Sequence, residues 1–226
     1  MRAVIFDFDG VLVDSEPLHY EALRRALLPE GVAVGEEEYA RFYLAYEDRE
    51  GIRIALERHG IPFDASRVEA VARRKASVFE TLIPRVPFFP GARELVRALA
   101  PEVPLAIASG ALRSEIEAIL AAGLLRDAFA AIVGADDVSR GKPDPEPYLT
   151  ALSRLAPLVP GIAPEDCLVF EDSMAGIVAA RAAGMRVVAV THSYPAARLT
   201  AAHHVVESLA PLGPGELRGL FSPSAR

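Results

Sequence analysis

The chain opens with a β-branched and aromatic run, Arg2 to Phe8, that ends in carboxylates and Gly10. This pattern predicts a buried strand feeding a loop. Further apolar runs of strand length lie at Pro104–Ala108, Ala130–Val133, Cys167–Phe170 and Arg186–Val190. Between them apolar positions recur at helical spacing over Ala92–Leu99, Arg113–Ala122, Pro147–Leu155 and Met174–Ala183, each bounded by Gly or Pro. Parallel strands need crossover connections, so strands alternating with helices predict an α/β fold: a doubly wound parallel sheet with helices on both faces.

From about Pro17 to Leu82 the alternation stops. Only helical periodicities remain, first Leu18, Ala22, Leu23 and Leu27, then Val68, Val71, Ala72 and Phe79. Residues 16–83 are therefore expected to form an inserted all-helical domain, and residues 1–15 and 84–226 the core. The connections near Val13–Glu16 and the proline-rich Ile83–Pro90 read as hinges, and the tail after Phe221 is expected to fray.

Composition narrows the classes. A chain of 226 residues that is 51% hydrophobic can fill one large core, or one core and a smaller second one. No apolar run approaches the ~18 residues of a membrane span, and the N-terminus lacks secretory-signal features, which predicts a cytoplasmic protein without a membrane partner. The net charge of −7 is spread along the chain with both signs interspersed, so no nucleic-acid partner is expected. A small phosphorylated ligand stays open, since it needs only a local positive cluster and a metal. Cys167, flanked by Leu168 and Val169, reads as a buried packing residue. The absence of Asn and Gln suggests a thermophilic source, although a biased genome would leave the same trace. Arg supplies 22 of the 24 basic residues, which singles out Lys75 and Lys142 as positions where a compact ammonium is preferred.

In an open α/β sheet, ligands bind beyond the carboxyl ends of the strands. Four stretches occupy such positions: Asp7 with Asp9, Ser109–Gly110, Lys142, and Glu171–Asp172. On a continued strand Asp7 and Asp9 would point the same way, with Gly10 letting the backbone turn behind them. Taken singly, the first stretch also reads as a solvated turn, and Glu171–Asp172 as the start of a helix capped by Ser173. Taken together, carboxylates converging at one sheet edge repel unless a cation or protons neutralise them. Oxygen ligands without a Cys or His cluster suit Mg²⁺. With Mg²⁺ and Lys142 screening its charge, an Asp carboxylate can attack a phosphoryl group and form an aspartyl-phosphate.

The run Asp7-Phe-Asp9-Gly10-Val-Leu-Val-Asp14-Ser-Glu16 resembles the first motif of the haloacid dehalogenase-like superfamily. Ile107-Ala-Ser109-Gly110 is similar to the second motif, Gly141-Lys142-Pro143-Asp144-Pro145 to the third, and Val169-Phe-Glu171-Asp172-Ser173 with Gly176 to the fourth. The order matches and the resemblance spans nearly the whole chain, pointing to the phosphoglycolate phosphatase and β-phosphoglucomutase subgroup with a helical cap. It implies Asp7 as nucleophile and Asp9 as general acid and base. It also implies Mg²⁺ held by Asp7, Asp172 and the Asp9 carbonyl, with Glu171 ligating the ion or orienting a bound water. Ser109 with the amides of Gly110 and Ala111 would bind phosphate, and Lys142 would neutralise charge on the nucleophile and the transferring group. The insert would be a mobile cap supplying substrate contacts, with Arg49, Lys75 and His19 as candidates and Arg53 as a lesser one.

An Asp at position 9 favours phosphate esters, because dehalogenating and phosphonate-cleaving relatives lack it. The first expectation is therefore hydrolysis of a small phosphorylated metabolite such as a sugar phosphate or phosphoglycolate. A β-phosphoglucomutase-like transfer is the alternative, disfavoured by Leu112 and Arg113 after the second motif. A phosphoacceptor signalling module fits less well, because its Asp normally follows a middle strand and it carries no helical insert. A non-catalytic scaffold would not retain every reactive group. His59, His192, His203 and His204 show no metal-ligand spacing and read as structural or surface residues, with His203–His204 a weak metal candidate.

Overall fold

A computed structural model describes residues 1–44 and 46–221. They divide into two compact units: Met1–Asp14 with the chain from Pro87 onward, and Ser15–Val86.

In the first unit six parallel strands form one sheet among the described residues: β1 (Ala3–Phe6), β2 (Leu105–Ala108), β3 (Phe129–Val133), β4 (Cys167–Glu171), β5 (Arg186–Val190) and β6 (His204–Val206). Their order is β3-β2-β1-β4-β5-β6, so the first strand made is central, paired with β2 on one side and β4 on the other. The nearly continuous Val, Ile, Ala and Phe of these strands are what a parallel sheet covered on both faces demands. Alternate residues face opposite ways. Ala3, Ile5, Ala106, Val169 and Val187 pack with Tyr148, Ala151 and Leu155 of one helix and Ile177 and Ala180 of another. On the other side Phe6 stacks on its register partner Phe170, with ring centres 5.0 Å apart, and meets Phe129 edge-on at 6.1 Å. Each such fully buried side chain contributes roughly 1.5–3 kcal/mol relative to exposure. Cys167 lies wholly inside β4, and burial pushes its thiol up to about 11.

The second unit contains α1 (Glu16–Leu27), α2 (Glu36–Phe42), α3 (Asp48–Arg58) and α4 (Ala65–Leu82). Its apolar centre joins Leu23, Leu27, Val34, Ile52, Leu56 and Val71. Asp64 caps α4 by accepting the Arg67 amide at 2.9 Å, and Arg67 and Arg74 of that helix both reach Glu30 after α1, at 2.7 and 3.0 Å. After the insert the core continues with α5 (Ala92–Leu99), α6 (Arg113–Ala122), α7 (Glu146–Leu155), α8 (Met174–Ala182) and α9 (Pro214–Phe221).

Three details depart from the sequence pattern. β1 stops at Phe6, not Phe8, because the Phe8 amide turns onto Asp7 Oδ1 at 2.7 Å and the Phe8 carbonyl accepts from Leu12 and Val13. Asp9 therefore sits in a turn, not on a continued strand. β6 has no expected counterpart: three partly exposed residues at a sheet edge carry no alternation to detect. α9 has none either, since Pro214, Gly215 and Gly219 are poor helix formers. The tail predicted to fray, residues 222–226, lies outside the described residues.

Candidate active site

The sheet order reverses at β1, and the crevice beyond the strand ends at such a point is where a doubly wound sheet binds ligands. Asp7 is the first residue past β1. Its amide continues the ladder to the Phe170 carbonyl at 2.9 Å, and the residue is buried, 8% exposed. Lys142, in the loop between β3 and α7, places Nζ 2.9 Å from Asp7 Oδ1 and 2.7 Å from Glu171 Oε1. The same ammonium lies over the Tyr148 ring, 5.1 Å from its centre.

Glu171 is fully buried at the end of β4, and five donors meet its carboxylate. Lys142 and the Tyr148 hydroxyl donate to Oε1, both at 2.7 Å. The amides of Asp172 and Ser173 and the Ser173 hydroxyl donate to Oε2 at 2.9–3.0 Å. A Cβ at Gly176 would fall inside this carboxylate, so α8 approaches it only through a glycine. The Ser173 hydroxyl also accepts the Gly176 amide at 3.0 Å, capping α8.

Three carboxylates and one ammonium leave an excess of negative charge, and it does not fall evenly. Burial alone would raise Glu171, but Lys142, Tyr148 and the Ser173 amide together hold it below the usual carboxylate range. Asp7 is pushed well above that range by burial, which outweighs Lys142, with Glu171 and Asp172 adding to the rise. Asp172 is pushed up to about 6 by burial and the Glu171 charge, against the Ser193 hydroxyl. Asp7 is thus the carboxyl that most needs a further positive charge to ionise near neutrality, and Asp172 is raised in the same direction. One oxygen from each of Asp7, Glu171 and Asp172 lies within 4.8 Å of the others. An all-oxygen cluster with uncompensated charge fits a hard divalent cation such as Mg²⁺.

Ser109 follows β2, buried, with its amide on the Val133 carbonyl at 3.0 Å. Its hydroxyl accepts the Ala111 amide at 3.0 Å, so that amide, expected to meet phosphate, is engaged within the loop and a ligand oxygen would have to displace the bond. Gly110 between them is exposed. Asp9 is half-buried in the tight turn after β1, bridged to Val13, and Gly10 turns with φ of 76°. A Cβ at Gly10 would fall on the Asp172 carboxylate, so this turn closes only with glycine.

Residues 1–184 match the family description "Hydrolase: haloacid dehalogenase-like hydrolase". The chain is a haloacid dehalogenase-like hydrolase. It is 37% identical over 195 residues to a phosphorylated carbohydrates phosphatase of Thermotoga maritima, covering 85% of this chain and 87% of that one. It is 32% identical over 212 residues to validoxylamine A 7'-phosphate phosphatase of Streptomyces hygroscopicus subsp. limoneus, covering 92% and 94%. The crystal structure of CbbY from Rhodobacter sphaeroides in complex with phosphate superposes with a TM-score of 0.81 at 27% identity, covering 96% of this chain and 99% of that one. By reaction class the enzyme is a phosphoric monoester hydrolase.

Within the helical cap of this hydrolase the four candidate contact residues meet different fates. Lys75, only 5% exposed, pairs with Asp48 and lies 3.2 Å from His19 Nδ1. His19 stacks on Phe79 at 4.1 Å, and burial together with the Lys75 charge lowers its pKa to about 4, against Asp48. Arg49, in contrast, is largely exposed and pairs with Glu69 at 2.9 Å, and Arg53 pairs with Glu50 and Glu57. No membrane-crossing helix occurs among the described residues.

Residues the sequence did not single out also shape the site. Tyr148 carries no signal, being one aromatic among the apolar positions of α7. His192, expected to be structural or superficial, reaches the Gly10 carbonyl from the end of β5, and Ser193 beside it donates to Asp172 Oδ2. Position just after a strand was the available signal for both.

Proposed function

We propose that this enzyme hydrolyses a small phosphorylated metabolite, such as a sugar phosphate or phosphoglycolate, through a phosphoenzyme on Asp7. The observation that carries this reading is the buried Asp7–Lys142–Glu171 chain, with Lys142 Nζ 2.9 Å from Asp7 and 2.7 Å from Glu171. It is the arrangement that orients one carboxylate and screens part of its charge beside incoming phosphate. The phosphatase names of the relatives support the substrate class.

In this reading an Asp7 oxygen attacks phosphorus, the ester P–O bond breaks, and Asp9 gives its proton to the leaving oxygen. Asp9 then takes a proton from water, which attacks the aspartyl-phosphate, releasing inorganic phosphate and restoring Asp7. Lys142 balances charge on Asp7 and on the transferring group, and Glu171, filled by donors, acts by holding Lys142. Ser109 and the following amides would take phosphate oxygens. Asp7, Asp172 and the Asp9 carbonyl would hold Mg²⁺, with Glu171 beside them. When bound, the ion neutralises the carboxylates and lowers the charge barrier between two anions. Lys75, His19 and Arg49 remain the cap's proposed substrate contacts.

The test is turnover of p-nitrophenyl phosphate and a phosphometabolite panel with Mg²⁺, using Asp7→Asn and EDTA as controls. Both controls should abolish phosphate release, EDTA reversibly, and full rate in either would defeat the mechanism. Asp9→Asn should still be phosphorylated but release phosphate slowly; rapid multiple turnover would show that Asp9 is not the base. Isomerisation of β-glucose 1-phosphate with a bisphosphate primer, faster than phosphate release, would select the mutase alternative.

A further inference from the structure

The loop after β5 makes two contacts that the proposed chemistry does not use. A carbonyl can only accept, so His192 Nδ1 carries the proton and donates to Gly10 at 2.9 Å, which fixes the imidazole tautomer. One face of the imidazole is covered by Phe89, with ring centres 3.9 Å apart and the rings 15° from parallel. Phe89 is itself tied to the same turn, its amide donating to the Leu12 carbonyl at 3.0 Å, while Val13 bridges to Phe88. The next residue, Ser193, donates its hydroxyl to Asp172 Oδ2. The Thr191 amide is fixed to the Val206 carbonyl of β6 at 3.1 Å, so the loop carrying both side chains is anchored to the sheet.

These contacts converge on one spot. A Cβ at Gly10 would meet both the Asp172 carboxylate and, at 2.8 Å, Ser193 Oγ, so the Asp9–Gly10 turn, Asp172 and Ser193 pack without spare volume. We infer that His192 and Ser193 form a positioning pair: His192 sets the turn that carries Asp9, and Ser193 fixes the rotation of the Asp172 carboxylate. This rests on the function proposed above, because it assigns the pair to the acid–base residue and to a cation ligand. Asp172 has one torsion about its carboxylate to settle, and a single donor on Oδ2 settles it before a cation arrives. The Gly10 amide ties the turn to the Val13 carbonyl at 2.9 Å, and the imidazole adds a side-chain anchor from a neighbouring strand.

Outer groups that orient a ligand typically change metal affinity by about 10–100-fold when removed. The test uses the full chain with Mn²⁺ as the probe, its binding followed by electron paramagnetic resonance, which needs no turnover. Ser193→Ala should weaken Mn²⁺ binding about tenfold with the thermal midpoint of the metal-free protein within a few degrees of wild type; unchanged affinity overturns the role of Ser193. His192→Phe keeps the stack on Phe89 and removes the donor. It should lower kcat about tenfold with KM within twofold, because the Asp9 it positions serves both as acid in phosphorylation and as base in hydrolysis of the phosphoenzyme. His192→Gln, which retains a donor, should recover most of that loss. Equal losses in the two His192 variants, or none in either, overturn the role of His192. Failure of the wild type to turn over phosphate esters would defeat the proposed function, while the Mn²⁺ comparison of Ser193→Ala would still be read.

Discussion

Replacing Lys142 by Met removes the cation that, among the described residues, pairs with Asp7 and Glu171, while keeping most of the length of the side chain. In metal-free buffer the variant must either keep uncompensated buried charge, at a cost of about 3–5 kcal/mol, or bind an extra proton. The proton sets a ceiling: with an unfolded carboxylate pKa near 4, binding it at pH 7 costs about 4 kcal/mol, and this falls by about 1.4 kcal/mol per pH unit. The loss of stability relative to wild type should therefore be about 4 kcal/mol at pH 7 and only about 1–2 kcal/mol at pH 5. The sign follows from linkage: the folded variant holds one proton more than folded wild type, so its stability falls faster as pH rises. Urea denaturation in EDTA, followed by circular dichroism at pH 5, 6 and 7, measures the difference. A gap that stays constant or widens toward acid would refute the charge account of Lys142 and leave only a packing role.

Tyr148→Phe deletes one of two donors on Glu171 Oε1, 2.7 Å away, and should cost about 1–2 kcal/mol in the same denaturation assay, with kcat reduced less than by loss of Lys142. His19 offers a pH test of the cap: its pKa of about 4 lies below the unfolded value, so the unfolded chain takes the proton first. The stability it contributes is whole above pH 6.5 and is lost as pH falls toward 4, by at most about 3 kcal/mol. His19→Phe should flatten that slope, and an unchanged slope would show that other groups cause it.

The strands and helices of the core were legible because each carries a strong period: continuous apolar runs for β1 to β5, and Leu95, Val96 and Leu99 or Ile116, Ile119 and Leu120 at helical spacing. β6 and α9 were not, since a short edge strand and a glycine-containing helix depend on tertiary support and not on local pattern. At the site, the positions after β1 and β4 and the rarity of Lys pointed to Asp7, Glu171, Asp172 and Lys142, which the structure brings together. What stayed hidden was the way charge divides among them. Glu171 is held below the usual range by five donors, and one of these, the Tyr148 hydroxyl, comes from a helix position that looks purely apolar in sequence. The anchors of the Asp9 turn, His192 and Phe89, were likewise invisible, because they arise from contacts between segments far apart along the chain.

The central place of β1 has a consequence for how the chain matures on the ribosome. Phe6 emerges before either of its neighbours and must wait for Ile107 on one flank and Phe170 on the other before its ladder is complete. Pairing between such distant segments is slow, and an unpaired strand of this composition invites wrong partners. The segment that carries Asp7 is therefore synthesised before both of its partner strands and secured only when β4 arrives, and a nascent chain that stops short of β4 has the reactive carboxylate but no place to hold it.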